Sequence, residues 1–312
     1  MEIVRTLEDI RDIGKTAVAL GNFDGVHLGH QELIRETVEQ AAADGVKSVV
    51  FTFSNHPSNV IPGAKAVKSI LYEGRKEDLI ESLGVDYLYD VPFTETLRDM
   101  EAEDFVKDIL VGLMNVKDAF CGFNYQFGAR AFGTPEILEI YGAKYGFDVF
   151  EMPPYEIDGK VVSSSLIRLL ISKGSVDRCS RFMGRNYEVG GEVVVGNRLG
   201  KSLGFPTSNL NIDDQMVTPP NGVYTTYCDY RGVRYPSITN VGVKPTVGDF
   251  EKNIETHIFN FDKELYGKHI TVEFLKKMRD EEKFDSLEAL SAQIIKDCER
   301  AKAWFREKDG PA

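Results

Sequence analysis

Residues 16–30, TAVALGNFDGVHLGH, decide how the first half of the chain folds. Residues 16–20 are apolar or small and uncharged, which reads as a buried strand. Beyond the stretch, Leu33, Ile34, Val38, Ala41 and Ala42 recur at helical spacing across residues 32–43. Residues 21–30 are therefore the loop from strand to helix, with the helix starting near His30. Such a loop is suited to phosphate, because a helix N-terminus offers unpaired N–H groups and a partial positive charge. Gly21, Gly25 and Gly29 let a ligand come close to the backbone. His27 and His30, two of the chain's five histidines, can donate to phosphate oxygens as negative charge grows during phosphoryl transfer. The plainer reading of the same residues is that two histidines and some glycines merely form a turn and cap.

Outward from this stretch the pattern repeats. Strands are predicted at 48–53 (SVVFTF), 87–89, 118–121 and 147–152, with helices at 75–82, 102–113 and 134–145. This alternation predicts a mostly parallel sheet covered by helices. Residues 163–173, SSSLIRLLISK, start on serine caps and stop at Gly174, as a helix should. After Gly184 the texture changes. YEVGGEVVVG (187–196), SNLNI (208–212), the long run 222–242, ETHIFNFD (255–262) and HITVEFLKKMR (269–279) read as strands parted by Gly, Pro, Asn and Asp. That is an all-β domain. Asp285 and Glu288 resemble a capping box, and Leu287, Leu290, Ile294, Ile295, Cys298 and Phe305 supply the apolar stripe of one closing helix. The boundary falls near residues 184–186, giving domains of residues 1–184 and 185–312.

Composition narrows the function. The chain has 312 residues and a formal charge of −12, more than one domain needs and the wrong sign for non-specific nucleic-acid binding. A small anion can still bind locally. No stretch approaches the roughly 20 apolar residues of a membrane helix, and the N-terminus has no apolar leader, so a cytoplasmic chain without a membrane partner is expected. Cys121, Cys179, Cys228 and Cys298 lie far apart without CxxC spacing and read as buried thiols. GNRLGKS, residues 196–202, is not a Walker A loop, because Val195 stands where that motif needs glycine.

The string GNFDGVHLGH resembles the HxGH signature of nucleotidyltransferases, in the longer form found in bifunctional riboflavin kinase/FAD synthetases. FTFSNHP (51–57), GFNYQFG (122–128) and VSSSLIR (162–168) resemble that family's second loop, flavin-side loop and SSTxxR motif. GFPTSNL, PPNGVY and ETHIFNFDKELYG resemble its riboflavin kinase module. Nearly the whole chain is covered, in the expected order.

The resemblance implies an α/β plus β fold: an N-terminal Rossmann-like nucleotidyltransferase domain with a parallel sheet, and a C-terminal antiparallel β-barrel with a terminal helix. It implies phosphorylation of riboflavin to FMN in the barrel and adenylylation of FMN to FAD, releasing pyrophosphate, in the α/β half. ATP would be held by Gly21, Asn22, Phe23, Asp24, His27, His30, Ser163, Ser164, Ser165 and Arg168, with Arg168 facing the departing pyrophosphate. His56 and Asn124 would lie on the flavin side. In the barrel, Gly196, Gly200 and Gly204 would cover ATP phosphates, Thr207 and Asn209 would bind magnesium through hard oxygens, and Glu255 would be the base for the ribityl hydroxyl.

The chain departs from the pattern at Ser54 and Asn55, where Asp and Pro are common, at Asn124 and Asn260 for Asp, and at Ser165 for Thr. Two alternatives stand beside this reading. One is transfer to another acceptor, such as pantetheine phosphate or nicotinamide mononucleotide, against which the β half argues; the other is a flavin-binding regulator that has lost one or both activities.

Overall fold

The apolar runs of the first half become six parallel strands. They are β1 (Glu2–Val4), β2 (Thr16–Leu20), β3 (Lys47–Phe53), β4 (Tyr87–Val91), β5 (Val116–Gly122) and β6 (Asp148–Met152), in the order β1-β4-β3-β2-β5-β6. No residue of β2 is more than 1% exposed, which is why its sequence is an unbroken run rather than an alternation: a central parallel strand is covered on both faces. From β2 the chain builds outward on one side through β3 and β4, then returns to add β5 and β6 on the other. The carboxyl ends of β2 and β5 therefore flank a topological switch point, where open α/β sheets bind ligands. The computed structural model describes residues 1–196, 204–245 and 250–309.

Helices α1 (Leu28–Asp44), α2 (Arg75–Glu81) and α5 (Pro135–Tyr145) fall close to expectation, whereas the short α3 (Glu95–Asp99) was not expected; Thr94 and Thr134 cap α3 and α5 through their hydroxyls. The segment 102–113 differs. One turn, α4 (Ala102–Asp104), runs into a π-helix, Phe105–Leu113, marked by the Met114 N–H bonding to Ile109 O at 3.0 Å. The wider turn buries Phe105, Val106, Ile109 and Leu110. Strand β1, the short hairpin β7–β8 (Glu156–Ile157, Lys160–Val161) and α7 (Val176–Met183) carry too few patterned residues to be read in advance.

Two compact units result, residues 1–69 with 74–163, and residues 70–73 with 164–312. Helices α6 (Ser164–Ser172) and α7 belong to the second, as does Tyr72, whose hydroxyl lies 3.2 Å from Thr271 Oγ1. Its remaining strands form a closed antiparallel barrel: β9 (Tyr187–Val194), β10 (Ser208–Asn211), β11 (Gly222–Tyr230), β12 (Val233–Pro245), β13 (Phe250–Ile258) and β14 (His269–Arg279). Tyr187, Tyr224 and Phe274 pack ring against ring and are fully buried. Beside them runs a row of buried hydroxyls, Ser237–Thr226–Thr239–Thr256, linked at 2.8, 2.8 and 2.9 Å. The opposite face carries Val223, Ile238 and Leu275 against Cys298, Ala301 and Phe305 of the C-terminal helix, Leu287–Asp309. That helix is capped by Ser286, whose Oγ accepts from the Ala289 N–H at 3.1 Å. Ser286 thus takes the cap expected of Asp285, because the helix opens one residue later.

Candidate active sites

The β2–α1 loop is held in an unfavourable backbone conformation. Phe23, Gly25 and Val26 have φ of 45, 89 and 35°, and a β-branched residue there is a genuine outlier, with strain of order 1–3 kcal/mol. The surroundings enforce it: Val26 is buried, its N–H bonds to Phe23 O at 3.1 Å, and its carbonyl accepts from Gln31 Nε2 at 2.9 Å. The consequence is the placement of two imidazoles. Helix α1 starts at Leu28, earlier than expected, so His27 is its N-cap and His30 stands in its first turn. His27 Nδ1 accepts from the His30 N–H at 3.2 Å. Acceptance at Nδ1 leaves Nε2 to carry the proton of the neutral ring, and Nε2 is then the donor toward a phosphate oxygen. The rings of His27 and His30 stack with centroids 3.5 Å apart at 17°. Phe23 is wholly buried and sets its edge against His30 at 5.2 Å, so its ring supports the site from beneath.

Neighbouring strand ends complete this edge of the sheet. Thr52 of β3 donates to Asn22 O at 3.1 Å, tying the two loops together. After β3, Asn55 exchanges two bonds with the Phe93 backbone, Nδ2 to O at 3.1 Å and N–H to Oδ1 at 2.7 Å. This fixes the loop where the family pattern has other residues. His56 Nδ1 accepts from the Ser58 N–H at 3.2 Å and caps a single 3-10 turn, Pro57–Asn59. After β5, a turn closed by the Tyr125 N–H to Gly122 O at 2.9 Å presents Asn124 and Phe123 at the surface. Ser163 ends the first unit, and Ser164, Ser165 and Arg168 occupy the first turns of α6 in the second.

In the barrel, strand register assembles a second site. Asn209 of β10 and Asn240 of β12 lie opposite Glu255 of β13, one on each side. Glu255 and Asn240 face a cavity of about 600 Å³ shared with Phe205, Thr207, His257 and Arg279, and walled by Leu290 and Ile294 of the C-terminal helix. The volume suits a drug-sized or cofactor-sized ligand. His257 Nδ1 lies 2.8 Å from Pro206 O, fixing the chain that leads into β10 to β13, and burial pushes its pKa down, which favours the neutral ring. Arg279 binds Asp297 Oδ2 through Nε and an Nη at 2.9 and 2.8 Å, and Gln293 donates to the other carboxylate oxygen at 3.0 Å. This largely buried pair holds the helix over the cavity. Gly196 packs so close to the Asn209 amide that a Cβ there would meet it at 2.3 Å. Gly204 turns at φ 85°, and Gly200 lies outside the described residues. Asn240, His257, Arg279 and Asp297 were not singled out from sequence; the alternation of β12 and β13 around Glu255 is the signal that finds Asn240 and His257.

A family model described as FAD synthetase matches residues 9–166, and one described as riboflavin kinase matches residues 183–305. The bifunctional riboflavin kinase/FMN adenylyltransferase of Bacillus subtilis (strain 168) is 35% identical over 298 residues, 93% of each chain. The chain belongs to this family. The family's member from Pseudomonas fluorescens is likewise 35% identical, over 305 residues and 97% of each chain. A crystal structure from Streptococcus pneumoniae, described as a macrolide-efflux protein, has 32% identity and a TM-score of 0.88 over 97% of this chain and 98% of that one. Among the described residues here, no helix is long and apolar enough to cross a membrane.

Proposed function

We propose that this chain makes FAD from riboflavin in two steps, each using ATP: phosphorylation of riboflavin to FMN by residues 185–312, then adenylylation of FMN by residues 1–184. Membership of the family supports both activities. The observation that carries the assignment is that motif residues meet in two places, the stacked histidines at the sheet's switch point and Glu255 facing the barrel cavity.

In the barrel, Glu255 takes the proton of the ribityl hydroxyl as its oxygen bonds to the γ-phosphorus and the bond to the β-phosphate oxygen breaks, leaving ADP. The cavity's apolar wall receives the flavin ring. Magnesium would be held at the start of β10, where Thr207 offers a hydroxyl and Asn209 an amide oxygen, both hard donors; Gly196 packs directly on the Asn209 amide. Among the described residues no cluster of three or more His, Cys, Asp or Glu is placed to cage a metal, which suits an ion completed by water and nucleotide phosphates. When bound, magnesium neutralises charge on the transferring phosphate.

In the α/β half, His27 and His30 donate to ATP phosphates at the N-terminus of α1, and the FMN phosphate attacks the α-phosphorus as pyrophosphate leaves. Gly21, Asn22 and Asp24 belong to the same loop. Ser163, Ser164, Ser165 and Arg168 are assigned to the pyrophosphate, and His56 and Asn124 to the flavin. Local donors, rather than the overall charge of −12, supply the positive field. We place the reactions in the cytoplasm. Glu255→Gln tests the division: FMN formation from riboflavin should stop while conversion of supplied FMN to FAD continues. Loss of both together would overturn it.

A further inference from the structure

Glu255 sits among side-chain amides. Asn209 and Asn240 flank it across the sheet. Asn253, two residues earlier and hence on the same face of β13, donates from Nδ2 to Glu255 Oε1 at 2.5 Å. Asn253 is 8% exposed, so its amide is held among neighbours. Its partner across the ladder is Gly242, where a Cβ would stand 3.4 Å from Asn240 Nδ2.

We infer that Asn253 is a positioning residue for riboflavin phosphorylation: its amide fixes the Glu255 carboxylate by one oxygen and leaves the other turned to the flavin hydroxyl. The inference rests on the reading of Glu255 as the base. An amide is suited to this task because it donates one directed hydrogen bond to the ionised carboxylate and carries no charge of its own. The charged and titratable groups sharing the cavity are His257 on β13, Arg279 on β14, Glu281, Glu282 and Asp285 in the segment after it, and Asp297 on the C-terminal helix.

The test uses the full chain carrying Asn253→Asp, nearly the same shape but with a second carboxylate in place of the donor. Expected are a fall of about tenfold or more in kcat for riboflavin phosphorylation, a KM for riboflavin little changed, and a partial recovery of kcat in Asn253→Gln, which restores an amide donor. FMN adenylylation should be unchanged. A kcat within about twofold of the parent overturns the inference, and so does a KM that rises as kcat falls, because that pattern is structural damage alone. Glu255→Gln, assayed in parallel, separates the two readings. If it still phosphorylates riboflavin, the assignment of the base has failed; if it is inactive and Asn253→Asp keeps the parent kcat, only the positioning role has failed.

Discussion

His27 caps α1 through Nδ1 and, in the reading above, serves ATP through Nε2. These two tasks are separable. Asn is a good N-cap but cannot replace the imidazole, so His27→Asn should leave the melting temperature within a few degrees while FMN adenylylation falls about 10²–10³-fold. His27→Ala should lose the activity and, in addition, about 1 kcal/mol of stability. A flavin assay beside a thermal melt checks both, and a His27→Asn protein that still makes FAD from FMN would remove His27 from the site. The histidines were legible because two imidazoles among three glycines at a strand-to-helix junction are rarely placed there by packing alone. The strain at Val26 was not legible, since nothing in a valine announces φ of 35°. It is imposed by tertiary contacts. Asn260 adopts φ of 54°, a conformation that asparagine and aspartate both tolerate, so the backbone there does not explain the departure from Asp.

At the scale of elements, the row Ser237–Thr226–Thr239–Thr256 stands behind the sheet positions that carry Asn240 and Glu255: Thr239 and Thr256 are each one residue from a site residue, and Thr226 and Ser237 continue the chain of hydroxyls from Thr239. Thr239→Val removes the hydroxyl shared by Thr226 and Thr256 and leaves both short of a buried partner. The expected cost is about 1–3 kcal/mol, read from urea unfolding. Riboflavin phosphorylation should fall with it more than FMN adenylylation does, because the row belongs to the barrel. Elements with long, unambiguous periodicity came through from sequence: β2 matches its predicted span, and β3, β5 and α5 lie within a residue or two. The barrel strands were legible as strands from their own residues, but their closure was expected only through the family resemblance, because the order β10-β13-β12-β11-β14-β9 is set by which edges meet in space. Residues 102–113 were read as one ordinary helix; their composition does not distinguish a 3.6-residue turn from the wider one that buries Phe105, Val106, Ile109 and Leu110. The second site was half legible for a similar reason. Glu255 is marked by its motif, whereas Asn240 and Asn253 are marked only by register.

For the whole molecule, pH dependence has a structural source away from either site. Asp118, buried at the start of β5, is pushed up to about 6 by burial and then by the neighbouring Asp44, while Lys117 opposes this. Asp44 moves the other way, to about 2, through its bonds to Lys117 and Gln40. A carboxyl whose folded pKa is raised holds its proton more tightly when folded, so the stability it favours is complete below about 4 and is lost as pH climbs through about 6. Asp118→Asn should therefore raise stability above pH 6 by about 1–2 kcal/mol and flatten the melting temperature between pH 5 and about 7. A variant less stable than the parent at pH 8 would contradict this. All four cysteines are buried, and burial holds their thiols at about 11 to 12. Alkylation should thus wait for unfolding, which an iodoacetamide time course with and without denaturant will read.

The central claim is that one chain performs two successive reactions at two places. The most direct measurement incubates the purified full chain with riboflavin, ATP and magnesium and quantifies the flavins by chromatography over time. The account predicts that FMN rises first and FAD follows at its expense. Failure of both products to form, with oxidised and with reduced flavin, would contradict it; FMN that accumulates without ever yielding FAD would leave the barrel assignment standing and overturn that of the stacked histidines.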